Sequence, residues 1–245
     1  MPSARRQSRS SRGLRYGRAV LSTELRTADG CHEFVIRTDE PDYLAELTQL
    51  GYGALGDEDD AFLRRFPLSD DAGAIFENFT RCVEALLDHA SGRTPTPWED
   101  ALELVCDRAD RAGIEWFLVG SASVAARGID VMPRDVDFVV ADQDRALAAF
   151  GDLLINPPLF HPDKTFVSSW SGRAFADARL EWISFVHPRL DSWMWPNEVG
   201  QHAASHLETI RWRQRSIRVS PLDLHLEITE RRGRTDRAAA IRGRA

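Results

Sequence analysis

Apolar and polar positions change period several times along the chain, and each change marks an element. Val20, Leu21 and Leu25 on one side of Asp29-Gly30, and Phe34, Val35 and Ile36 on the other, give the pattern of a β-hairpin over residues 20 to 38. Pro41 follows acidic residues at a favourable helix start, and Leu44, Leu47 and Leu50 recur at helical spacing up to Gly51. The acidic stretch Gly56 to Asp60 reads as a loop and Phe62 to Phe66 as a short strand. Ile75, Phe76, Phe79, Cys82, Val83, Leu86 and Leu87 form the apolar stripe of a longer helix that stops near Ser91-Gly92. Thr94-Pro95-Thr96-Pro97 then marks a boundary. Thr96 as N-cap, Pro97 at the first helical position and Glu99 three residues after the cap make a capping box. Trp98, Leu102, Val105, Cys106 and Ala109 line one face of that helix, and Gly113 ends it.

A denser pattern follows. Trp116 to Val119 is a short apolar run, broken by Gly120-Ser121 and continued by a small-residue segment, Ala122 to Arg127, that closes at Gly128. Asp135-Val136-Asp137 leads into Phe138-Val139-Val140. The expected order is strand, glycine turn, short helix, loop, strand. A helix is expected from Gln143 to Leu154, stopped by Asn156-Pro157-Pro158. Lys164 to Trp170 reads as a strand, Ser171-Gly172 as a turn and Arg179 to Val186 as the next strand. Pro196 to Ala204 suits a short helix, Leu207 to Trp212 and Ser216 to Val219 the arms of a hairpin, and Ser220-Pro221 the opening of a helix that carries Leu222, Leu224, Leu226 and Ile228.

Composition narrows the class. At 245 residues, with 43% hydrophobic and 28% charged side chains, the chain has material for one large or two small domains with a real core. No run is apolar and long enough to span a membrane. The basic N-terminus lacks an apolar signal-peptide core after it, so a cytoplasmic location is expected. Cys31, Cys82 and Cys106 are odd in number and scattered, against a disulfide framework or a zinc site. A net charge of −7 offers no global attraction for nucleic acid. Residues 1 to 18, rich in Arg and Ser, form a basic tail expected to be disordered.

The candidate chemistry lies in the alternation at Asp135 and Asp137. Side chains two apart on a strand share a face, so the two carboxylates project together while Val136 and Phe138 point to the core. Two such charges about 4 Å apart repel by about 4 kcal/mol at an effective dielectric near 20. A divalent cation between them would offset that cost, and carboxylates suit Mg²⁺ or Mn²⁺. Gly120 lets the backbone approach a ligand closely, and the N–H groups opening a helix at Ser121 attract phosphate. Together these are the parts that transfer from a nucleoside triphosphate requires. The plainer alternative is a core βαβ-like segment whose aspartates face solvent.

An apolar residue, Gly120-Ser121, a spacer over 122 to 134, and Asp135-Val136-Asp137-Phe138 resemble the signature of the nucleotidyltransferase superfamily, the polymerase-beta-like fold that includes small antibiotic-modifying and toxin-like enzymes. The resemblance implies an α+β chain: a nucleotidyltransferase-like mixed β-sheet flanked by helices over 93 to 245, preceded by a small α+β domain over 19 to 92. It implies Mg²⁺ or Mn²⁺ as cofactor and a nucleoside triphosphate as donor. It also implies a third carboxylate on a strand beside the Asp-x-Asp strand, to ligate metal and help deprotonate the acceptor. Glu181 is the candidate, as an isolated charge among Leu180, Trp182 and Ile183; Asp177 is the reserve. Arg179 or Arg173 could satisfy Glu181 instead. The ending RRGRTDRAAAIR resembles the C-terminal helix of the small enzymes, with Asp236 capping or pairing with arginines.

Other residues have two readings each. Ser121 contacts a phosphate or only caps a helix. Arg134 meets the triphosphate or makes a structural salt bridge. Lys164 neutralises phosphate or is an exposed strand lysine. Trp193, Trp195 and Trp212 stack on a ring or belong to the core, and His161 and His187 read as structural or surface residues. The acceptor is open among a small molecule, a tRNA end and a protein side chain. The unit over 19 to 92 has no catalytic constellation and is structural or contacts a partner or the acceptor. A catalytically silent binding or regulatory module of the same fold is the competing reading.

Overall fold

The computed structural model describes residues 9–10, 21–56, 58–161, 168–186 and 197–244. The chain divides into two compact units, Met1–Pro95 with Leu153–Pro157, and Thr96–Asp152 with Pro158–Ala245.

The first unit holds β1 (Arg9–Ser10), β2 (Leu21–Ala28), β3 (Cys31–Thr38), α1 (Pro41–Gln49), β4 (Gly53–Leu55), β5 (Glu58–Pro67) and α2 (Ala72–Ser91). The strands form one antiparallel sheet in the order β1-β2-β3-β5-β4. Asp29 and Gly30 both take positive φ, 51° and 74°, as a two-residue hairpin turn demands. Phe34, Phe66 and Phe79 pack in the core with Tyr52. Two expectations are corrected here. Glu58 to Asp60 belong to β5 and not to a loop, because the strand's outer end is held by Arg37 of β3, which pairs with Glu58 and lies 3.7 Å from Asp60. Arg9–Ser10, within the tail expected to be disordered, pairs with Glu24 and Leu25.

The second unit holds α3 (Trp98–Ala112), β6 (Trp116–Val119), α4 (Gly120–Ala125), β7 (Asp135–Val140), α5 (Gln143–Phe150), β8 (Leu159–Phe160), β9 (Ser168–Ala176), β10 (Ala178–Val186), α6 (Gln201–Ser205), β11 (Glu208–Trp212), β12 (Arg215–Val219), α7 (Leu222–Arg231) and α8 (Thr235–Arg242). Its sheet runs β11-β12-β6-β7-β10-β9-β8. It is mixed: β7 is antiparallel to β6 and parallel to β10, and β12 is parallel to β6. Val136, Phe138, Leu180 and Trp182 are buried on one face. Phe138, Phe150 and Trp182 meet with ring centroids 5.6–6.0 Å apart, and the Trp182 indole N–H donates to Gln143 Oε1 at 3.1 Å.

Three further expectations fail for physical reasons. Ser171-Gly172 is not a turn; β9 runs through it, and the chain reverses at Asp177, with φ 60°. Gly172 is there because it faces Trp182 across the strands, and a Cβ would fall inside the indole ring. The capping box at Thr96 does not form: α3 begins at Trp98 after Pro97, Thr96 is buried, and its carbonyl accepts the Trp98 N–H at 2.8 Å. The short helix expected over 196 to 204 begins at Gln201, after Gly200. Among the described residues no helix is long and apolar enough to cross a membrane.

Candidate active site

Strand β6 ends at Val119, opposite Asp137 of β7. The chain then turns at Gly120, with φ 65°, into α4. Glycine is required there twice over. The positive φ disfavours a side chain, and a Cβ would collide with Asp137 Oδ2, with Asp137 Cγ 3.2 Å away. Ser121 follows, buried, and the first turn of α4 receives no side-chain cap. The Asp137 carboxylate therefore lies against the backbone that opens α4.

Strand β10 supplies the other side. Its parallel register sets Arg179 opposite Asp135 and Glu181 opposite Asp137. On its far side, β9 sets Arg173 opposite Glu181. Alternation puts Asp135, Asp137, Arg179, Glu181 and Arg173 on one face of three adjacent strands. Arg179 Nη2 donates to Asp135 Oδ2, and its Nε lies 3.5 Å from Glu181 Oε1. Arg173 Nε donates to Glu181 Oε1. Of the two candidates for a third carboxylate, Glu181 is the one beside Asp137; Asp177 is exposed in the β9–β10 turn.

Three carboxylates against two guanidinium groups leave an excess negative charge, and it is concentrated at Asp137. Among the described residues no hydrogen bond reaches its carboxylate. Burial pushes its pKa well above the ordinary carboxylate value, and the charges of Asp135 and Glu181 add to the shift, with Arg179 opposing. For Arg179, burial disfavours the charge, but Glu181 and Asp135 outweigh it and hold the guanidinium protonated more firmly than usual.

No family model and no curated protein matches this chain. A solved structure that matches is a provisionally named nucleotidyltransferase from Thermotoga maritima, 17% identical, covering 59% of this chain and 92% of its own, with a TM-score of 0.43. Likeness at that level does not establish a shared fold.

Two residues near the carboxylates carry no signal in the sequence pattern. Glu198 is buried, lies 3.4 Å from Arg232, and adds its charge to the field on Asp137. Its Oε2 is buried without a hydrogen-bond partner. Arg237 of α8 feels the attraction of both Asp135 and Asp137. Both come from parts of the chain remote from β7 in sequence, so only tertiary structure finds them. The other candidates scatter. Arg134 is exposed. His161 Nε2 lies 3.0 Å from Ser171 Oγ, and Trp212 is buried beside Trp98, so both are structural. Lys164, His187, Trp193 and Trp195 lie outside the described residues.

The donor chemistry at Asp135, Asp137 and Glu181 is all carboxylate oxygen, which suits Mg²⁺ or Mn²⁺. Asp137 holds its carboxylate between the Gly120 turn and Glu181 of the neighbouring strand. As the side chains stand, though, Arg179 supplies the balancing charge. Among the described residues no three acidic, histidine or cysteine side chains converge on a common point. The residues fit a divalent cation in kind, and their present partners are arginines.

Proposed function

We propose that the protein transfers a nucleoside monophosphate from a nucleoside triphosphate to an acceptor hydroxyl, releasing pyrophosphate. The observation that carries this reading is the register that lines Asp135, Asp137 and Glu181 along one sheet face, with Asp137 against the Gly120-Ser121 turn. Asp135, Asp137 and Glu181 would hold Mg²⁺ or Mn²⁺, which when bound neutralises phosphate charge and activates an oxygen nucleophile. The chain's own part is positional. Gly120 leaves room for the Asp137 carboxylate to lie against the turn, and the Ser121 hydroxyl and first-turn amides of α4 would offer donors to phosphate oxygens. Glu181, the more exposed end of the acidic row, accepts the acceptor's proton when that hydroxyl comes within about 3 Å. The acceptor class is a small molecule, an RNA end or a protein side chain, and the first unit is proposed as the place where an acceptor or partner docks.

The test is thermal unfolding with ATP, GTP, CTP and UTP, with and without Mg²⁺, in wild type and in Asp135→Ala/Asp137→Ala. A nucleotide at a hundred times its dissociation constant adds about 2.7 kcal/mol. A Mg²⁺-dependent shift for one nucleotide, absent from the double variant, supports the reading and names the donor. A second reading is favoured by the arginine pairing of Asp135 and Glu181: a catalytically silent module of the same architecture. It predicts no pyrophosphate release from any nucleotide, whatever binds. Pyrophosphate release that vanishes in Asp137→Ala rules it out.

A further inference from the structure

The chain carries a net charge of −7, yet one concavity in the second unit has the opposite sign. It encloses about 460 Å³, within the range of small-molecule sites. Four stretches line it: the end of α4 with the turn after it, β11, the start of α7 and the residues that follow α8. Its charged lining is Arg127, Arg211 and Arg244 against Glu208 alone. Its apolar lining includes Ile129, Ile210 and Leu222, and both Ile129 and Leu222 belong to the cluster around Val124 and Ile241.

Arg127 and Glu208 are the frame of this hollow. The Arg127 side chain is only 8% exposed. Its Nη1 donates to the Ser123 carbonyl at 2.8 Å and to Ser123 Oγ at 2.7 Å, and its Nη2 to the Ser220 carbonyl at 2.6 Å and Glu208 Oε2 at 2.8 Å. Glu208 Oε1 accepts the Leu222 N–H at 3.3 Å. This pair balances its own charge and ties α4, β11 and the start of α7 together. Arg211 and Arg244 remain. Neither has a carboxylate within ion-pair distance among the described residues. Arg211 comes from the outer strand of the sheet and Arg244 from beyond α8. Gly128 leaves space for Arg244: it has φ 74°, and Arg244 Nη1 comes to 2.8 Å of where a Cβ would stand. Two like charges lining one hollow repel, and an anion between them removes that cost.

We propose that this concavity binds a small phosphate monoester with an apolar or aromatic body. Arg211 and Arg244 match the charge of a phosphate monoester at neutral pH, roughly −1.5 to −2, and offer forked donors to its oxygens. Ile129, Ile210 and Leu222 take the body. The site shares no residue with Asp135, Asp137, Glu181 or the Gly120-Ser121 turn, so it stands or falls independently of the nucleotidyl-transfer reading.

The test titrates phenyl phosphate, without metal, into the full chain labelled with nitrogen-15, and follows the amide chemical shifts. Inorganic phosphate and benzyl alcohol are the comparisons, each carrying one half of the probe. Phenyl phosphate shifts amides at Arg127 to Ile129 and Glu208 to Arg211 saturably, with a dissociation constant on the order of 1 mM or below. No saturable shift, or shifts centred elsewhere, overturns the site. Inorganic phosphate and benzyl alcohol bind at least about tenfold more weakly; equal affinity for either one overturns the match of ligand to pocket. Arg211→Gln and Arg244→Gln, both at exposed side chains, each weaken phenyl phosphate about tenfold, the loss of one charged hydrogen-bonded contact. Unchanged affinity in either variant overturns the proposal. A measurement on wild type alone covers variants that fold poorly: raising the NaCl concentration weakens phenyl phosphate by screening the arginines, and an affinity indifferent to salt overturns the proposal as well.

Discussion

The Asp137 carboxylate lies where a side chain on Gly120 would begin. Two requirements coincide at one residue: a left-handed backbone at the strand-to-helix turn, and space for an acid on the neighbouring strand. Gly120→Ala should lower unfolding free energy by at least about 1–2 kcal/mol from the backbone conformation alone, with a further loss from the collision. Urea denaturation in an Asp137→Ala background checks the second part. There the cost of Gly120→Ala shrinks towards the backbone share; an equal cost in both backgrounds would contradict the contact.

The raised pKa of Asp137 has a definite sign. Folding favours its protonated form, so the stability it contributes is present below pH 3.8 and is lost as pH rises through its folded value. In metal-free buffer at pH 7, Asp137→Asn should therefore melt higher than wild type, and the gap should close as pH approaches 4. A variant less stable than wild type at pH 7 and level with it near pH 4 would reverse the assignment.

Arg179 faces two acids at once. Replacing it with Met removes the guanidinium that pairs with Asp135 and lies beside Glu181, and leaves the Arg173–Glu181 pair in place. For partly buried pairs the loss should be on the order of 3 kcal/mol at neutral pH. Mg²⁺ should restore part of the melting temperature of Arg179→Met if the carboxylates accept a cation. No response to Mg²⁺ in that variant, with wild type also unresponsive, would count against a metal at this face.

His225 gives a second pH signature, away from the acids. It is buried, with Nε2 3.0 Å from Ser123 Oγ and 2.6 Å from Ser220 Oγ. Burial, reinforced by Arg127, Arg237 and Arg232, pushes its pKa down to about 3. The unfolded chain takes up the proton near pH 6.5 and the folded one does not, so this stability is full above 6.5 and is lost as pH falls towards about 3. The slope is at most about 1.4 kcal/mol per pH unit. His225→Leu should flatten denaturation midpoints across that window while lowering them overall.

Local pattern carried much of this architecture. Strict alternation at Asp135-Val136-Asp137-Phe138 announced which side chains share a face, and the lone acid in Arg179 to Val186 announced Glu181. What alternation does not encode is which strands become neighbours and in which register. The bridging of Asp135 and Glu181 by Arg179 follows from a parallel pairing between segments 44 residues apart. Gly172 misled for the opposite reason. Glycine marks turns, but here it is set by the bulk of Trp182 on the adjacent strand, a demand that no local window contains. Glu198 and Arg237 were silent because a charge in a polar stretch looks the same whether it faces solvent or an acid.

The chain between β7 and β10 does not stay at home: Leu153–Pro157 belongs to the first unit. The route from Asp137 to Glu181 thus leaves one folding unit, enters the other and returns. Pairing of β6 with β7 closes a short loop and can form early, whereas β7 with β10 must close a long one. Refolding should therefore show helix and sheet signal recovering before any capacity to bind ligand at the acidic row. On the ribosome the row stays incomplete until residue 181 has emerged. Assembly of the acidic row is in this sense a late event in the folding of the second unit.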